Sequence, residues 1–101
     1  MVTIYAFFRI NEGKEDEAEQ AIKEMVAAVE ANEPGCVFYA MNRSQQDPLD
    51  VHVFEVYKDQ AAAAAHAASE HMGAFRQHFR DVFDGGSVKI VQLDRIAAVE
   101  R

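Results

Sequence analysis

Residues 2–10, VTIYAFFRI, carry apolar side chains on both alternating sets. Val2, Ile4, Ala6, Phe8 and Ile10 form one, and Thr3, Tyr5, Phe7 and Arg9 the other. A strand that is β-branched and aromatic on both sides is covered on both sides. Asn11-Glu12-Gly13 breaks it. The apolar period then becomes helical. Ala18, Ile22, Met25, Val26 and Val29 predict one stripe on a helix over residues 14–32, stopped by Glu33-Pro34-Gly35. Two further strands follow, over residues 36–43 and 51–58, joined by a hairpin loop that holds Asp47-Pro48.

Asp59 is a good N-cap for a second helical region running from residue 60 to about 83. Its stripe is Ala61, Ala65, Ala68, Met72, Phe75, Phe79 and Val82, alanine in the first half and bulky in the second. Ser69 and Gly73 can interrupt it, with Ser69 capping a second segment. Gly85-Gly86 is expected to end the region, and residues 87–99 read as a long last strand.

The order β-α-β-β-α-β over a single domain, residues 1–101, predicts an α+β, ferredoxin-like sandwich: an antiparallel sheet with both helices on one face. The strands are apolar on both faces, so the uncovered face needs a second sheet. The chain has no strands left to build one. A homodimer with sheets packed face to face, a dimeric α/β barrel, is the expected solution.

Composition narrows the partners. The net charge is −7, and eight acids against two lysines fall between Glu12 and Glu33. That balance lacks the cationic surface nucleic acid requires. No apolar run approaches the roughly 20 residues of a membrane span, and the N-terminus lacks a basic n-region. The expectation is a cytoplasmic protein with neither nucleic acid nor membrane as partner. Cys36 is the only cysteine, which excludes an intramolecular disulfide.

Several segments occur together: Glu33-Pro34-Gly35-Cys36 followed by Tyr39, Asp47-Pro48, Glu55-Val56-Tyr57, and His66 to Met72. In order and spacing the chain resembles the antibiotic biosynthesis monooxygenase family of dimeric α/β barrels, and most of all its small quinol monooxygenase type. The resemblance implies a fold and a dimer more firmly than a reaction, because that family includes cofactor-free oxygenases, isomerases and haem-degrading enzymes. The haem-degrading members use an asparagine in the first strand and a histidine late in the second helix. Here the first strand has no asparagine and the histidine position falls near Arg76.

The expected activity is a cofactor-independent monooxygenase for a small electron-rich aromatic, such as a hydroquinone, with molecular oxygen as co-substrate. Such a substrate reduces oxygen once deprotonated, so the protein supplies a dry aromatic pocket and a base. Phe7, Phe8, Phe38, Phe54, Tyr57, Met72, Phe75 and Phe79 are candidate walls. Histidine titrates near neutral pH, and with the resemblance this points to His66 or His71 as base and Glu55 as its orienting partner. No metal and no cofactor are expected: on one continuous helix His66 and His71 lie about 140° apart, although a break near Ser69 brings both toward one pocket. The alternatives are an isomerase of a small carbonyl or autoinducer-type compound, which needs cations in its pocket, and a non-catalytic dimeric stress-response barrel.

Overall fold

The structure, a computed structural model, describes residues 1–101. Strand β1 (Val2–Ile10) leads to helix α1 (Glu15–Asn32) and then to β2 (Cys36–Arg43) and β3 (Asp50–Tyr57). Helices α2 (Gln60–Ala67) and α3 (Glu70–Gln77), with a short 3₁₀ turn over His78–Arg80, lead to β4 (Phe83–Leu93). All pairings are antiparallel and the sheet order is β2-β3-β1-β4, so the expected ferredoxin-like α+β fold is the one observed. No helix is long and apolar enough to cross a membrane.

Register decides which side chains share a face. Phe8 pairs with Val51, Ala6 with Val53, Ile4 with Glu55 and Val2 with Tyr57, so these point toward the helices. The core lies there. Helix α1 buries Ala18, Ala21, Met25 and Val29. Ala21 thus takes the place expected of Ile22, and Ile22 and Val26 sit at the margin beside β2. Phe8 packs edge-on against Phe75, Phe79 and Phe83 with ring centroids 4.8–5.9 Å apart, which closes one end of the core.

The opposite face carries Tyr5, Phe7, His52, Phe54, Phe38, Val91 and Leu93. Within one chain most of it is uncovered: Phe38 is 54 % exposed and Phe54 47 %, although Val56 between them is buried. His52 accepts or donates a 2.6 Å hydrogen bond with the Tyr5 hydroxyl there.

The helical region splits at Ala68–Ser69, the break expected of a capping Ser69, whereas Gly73 lies inside α3 without interrupting it. Ser69 has an extended backbone; its hydroxyl accepts from Met72 N and donates to His66 O, which ends one helix and starts the next. The last strand begins at Phe83, pairs with Ile10, passes through Gly85-Gly86 and ends at Leu93 rather than at Val99. The glycines sit where the register shifts between Phe7 and Arg9, and Ser87 Oγ accepts from Arg9 N at 2.8 Å. The pair of glycines therefore marks a bulge and not a strand boundary.

Arg9, on the uncovered face, clamps the β2–β3 connection through Asp47 at 2.9 Å and through Asp50. The Arg9 guanidinium holds the Asp47 carboxyl below its ordinary value. A lowered carboxyl pKa adds stability above the ordinary range, and that stability is lost as pH falls through the lowered value. Arg9→Met should therefore lower the melting temperature slightly at pH 7, and the difference from the unaltered chain should shrink as pH falls through the lowered Asp47 value. Thermal melts across pH check this.

Candidate active site

Residues 33 and 66 meet because of how α1 ends. Pro34 stops the helix, and Gly35 lets the turn lie against α2: a Cβ on Gly35 would come within 2.7 Å of Ala62 Cβ. Only a residue without a side chain allows that approach. Glu33 is thereby placed at the C-terminal end of α1, pointing between α2 and α3.

Both helix-borne histidines converge on its carboxylate. His66, in the last turn of α2, places Nδ1 3.0 Å from Glu33 Oε2 and 3.1 Å from Oε1. His71, in the first turn of α3, places Nε2 in hydrogen-bond contact with Glu33 Oε2. The break at Ser69 makes this possible, because an uninterrupted helix would aim the two rings to different sides. On the other flank of His66, Nε2 lies 3.8 Å from Glu55 Oε1. Glu55 accepts a 2.6 Å hydrogen bond from the Tyr57 hydroxyl. The Tyr39 and Tyr57 rings stand 5.2 Å and 5.3 Å from the His66 ring.

Burial sets the electrostatics. The side chains of Glu33 and His66 are 8 % and 9 % exposed and that of His71 is 17 % exposed, so two carboxylates and two imidazoles interact largely out of water. Burial pushes the Glu55 carboxyl up, an effect opposed by the Tyr57 hydrogen bond and the His66 charge. Burial and the neighbouring Glu55 carboxylate push the Tyr39 and Tyr57 hydroxyls up as well, so both stay protonated. Cys36 is pushed up to about 11 by burial and by Glu33, so at neutral pH it is a thiol and a poor nucleophile.

The sequence-derived candidates divide by position. His66, His71, Glu55 and Tyr57 come together. Phe7, Phe38 and Phe54 lie on the far face of the sheet, so within one chain they do not line a pocket around His66. Phe75 is 4 % exposed and packs with Phe79 against Phe8 and Phe83, filling the core rather than lining open space. Met72 packs against the same core. Glu33 and Tyr39 were not among the site candidates. The signal for Glu33 was a carboxylate at a helix C-terminus, where the macrodipole disfavours negative charge. Such a residue needs donors from elsewhere.

A strip of the helix-side sheet remains open beside this cluster. Register aligns Glu55, Ile4 and Gln92 across β3, β1 and β4, and Ile90 follows opposite Ala6. Ile90 is 69 % exposed and Val88 41 %, so α2, built mostly of alanine, leaves apolar sheet uncovered.

The family model for antibiotic biosynthesis monooxygenases matches residues 1–78. The solved structure of PA3566 from Pseudomonas aeruginosa is 27 % identical with a TM-score of 0.84, covering 95 % of this chain and 94 % of that one. A protein of Caulobacter crescentus CB15, described provisionally as an antibiotic biosynthesis monooxygenase, is 26 % identical with a TM-score of 0.86, covering 95 % and 90 %. A Bacteroides thetaiotaomicron protein at 18 % identity and a TM-score of 0.87 shares the fold over 99 % of this chain and 93 % of its own. No curated protein matches the chain.

If Glu33 is the acceptor that holds both imidazoles, Glu33→Ala should cost about 1–3 kcal/mol of unfolding free energy, since buried donors lose their partner. Glu30→Ala, one turn earlier and exposed, should stay within about 0.5 kcal/mol. Urea unfolding of the two variants measures the contrast.

Proposed function

Because the chain belongs to the antibiotic biosynthesis monooxygenase family, we propose that it is a monooxygenase that oxygenates a small electron-rich aromatic, such as a hydroquinone, with molecular oxygen and no bound redox cofactor. The observation that supports this reading is His66, held at Nδ1 by the buried Glu33 with Nε2 turned toward the sheet between the Tyr39 and Tyr57 rings. With Nδ1–H donated to Glu33, Nε2 keeps its lone pair and serves as the base, the role a carboxylate-oriented imidazole plays in nucleophile activation.

Removal of a phenolic proton by His66 raises the electron density of the ring. The phenolate then delivers electrons to oxygen, one oxygen atom joins the ring, and the other leaves as water. Hydroquinone plus O₂ gives hydroxybenzoquinone plus H₂O, which balances without an added reductant. Glu33 stabilises the imidazolium, and the Tyr57 hydroxyl, tied to Glu55, keeps that carboxylate from moving onto Nε2. An isomerase of a phosphorylated carbonyl compound fits less well. The charged groups around His66 are the carboxylates Glu33 and Glu55, and Arg9 is committed to Asp47 and Asp50.

The same reading includes a homodimer. The bare face with Phe38, Phe54, Val91 and Leu93 supports pairing of two sheets. Light scattering at micromolar concentration should give about twice the 11.3 kDa chain mass, and Phe54→Glu should shift the mass toward one chain. A monomeric unaltered protein would refute the pairing.

Aerobic incubation with a panel of hydroquinones and anthrones, followed by oxygen uptake, tests the reaction. His66→Gln should lower turnover by about 10²–10⁴-fold, the usual loss of a general base. His71→Ala should lower it at least tenfold. No uptake with any substrate would count against oxygenation, and full activity in both variants would move the base elsewhere.

A further inference from the structure

We propose that Glu33, His66 and His71 together form a binding site for one divalent first-row transition cation, with Zn²⁺ as the reference ion. This goes beyond the oxygenase reading and rests on the geometry of the cluster alone.

Each residue offers one ligand atom, and the three atoms lie within 4.8 Å of one another. A tetrahedral ion with bonds of about 2.0–2.1 Å to nitrogen and oxygen needs ligand atoms roughly 3.3 Å apart. His66 Nδ1 and Glu33 Oε2 are already 3.0 Å apart. His71 Nε2 touches the same Oε2 more closely than two ligands of one ion would, so an ion would have to part that contact, and His71 is the most exposed of the three at 17 %. The ligands come from three separate elements: the end of α1, the last turn of α2 and the first turn of α3.

The surroundings have the form of a metal site's outer shell. An imidazole that ligates through one nitrogen commonly donates its other N–H to a carboxylate. Here His66 Nε2 faces Glu55 Oε1 at 3.8 Å, and Tyr57 anchors Glu55 at 2.6 Å. Glu33 and His71 also border a surface hollow of 580 Å³, shared with Ser69 and Ala74, which gives an ion a way in. Two imidazoles and one carboxylate select zinc, cobalt, nickel or ferrous iron over magnesium and calcium, which prefer all-oxygen sites. Three protein ligands leave at least one position for water.

Metal binding and base catalysis ask opposite things of His66. As a ligand, Nδ1 must give up its proton and the ring must carry it on Nε2, toward Glu55. As a base, Nε2 must be bare and Nδ1 must hold the proton for Glu33. One ring cannot do both, so an ion at this site switches the proposed oxygenase off.

Chelator-treated protein titrated with ZnCl₂ by calorimetry should show one saturable site per chain. MgCl₂ should not compete. His71→Ala and Glu33→Gln should weaken Zn²⁺ binding at least tenfold, and Glu55→Gln about 10–100-fold through loss of the outer carboxylate. His78→Ala should leave the affinity unchanged. In the unaltered chain, which needs no variant to fold, CoCl₂ should shift the imidazole proton resonances of His66 and His71 more than those of His52 and His78. Unsaturable or substoichiometric binding, unchanged affinity in the Glu33 and His71 variants, or cobalt shifts centred on His52 or His78 would each overturn the site. Calorimetry reads binding directly, so absence of oxygen uptake refutes the oxygenase reading and leaves this one standing.

Discussion

The structure around the site depends on where one buried negative charge finds its donors. Glu33 sits where the carbonyl end of α1 already concentrates negative potential, with its side chain largely out of water. Neither the dipole nor the solvent stabilises it there. The stabilisation comes from His66 and His71, one on each side of a helix break. A second carboxylate, Glu55, approaches from the sheet, and Tyr57 satisfies it. Four charged or chargeable groups thus share one desolvated volume, and each fixes the others through hydrogen bonds that a low dielectric strengthens.

The two faces of the sheet divide the work. On the helix side, aromatic packing of Phe8, Phe75, Phe79 and Phe83 closes one end, while the alanines of α2 leave the other end thin. Stability and chemistry therefore occupy different ends of the same layer. The other face is apolar and bare, and its only strong polar anchors are the Arg9 clamp and the Tyr5–His52 pair.

Much of this was legible in the chain. Period-two and period-3.6 patterns located every strand and helix, because burial on one face is a local demand repeated along each element. What pattern reading misplaced were positions where a side chain answers to a distant partner. Gly85-Gly86 looked like a terminator and is a bulge, because register with β1 absorbs the extra residues. Phe7, Phe38 and Phe54 looked like pocket walls, but aromatic character does not say which side of a sheet a residue faces until the pairing is known. Glu33 was visible as a helix stop and as part of a motif. Its partners lie more than thirty residues away, and spacing along the chain carries no trace of a contact that three elements make only once folded.

The hydroxyl of Ser69 has a consequence for how this chain can vary in length. It binds the last turn of α2 and the first turn of α3 at once, which fixes the phase between the two helices. Each residue added or removed there turns everything beyond it by about 100°. A lineage of such proteins can exchange side chains at positions 67, 68 and 70 around that serine with modest penalty, yet a single insertion or deletion would carry the second imidazole off the carboxylate. The segment after Leu93, outside any regular element, faces no such restriction. Length variation should collect at that end of the chain, and the joint at Ser69 should stay the same length wherever the pair of histidines is kept.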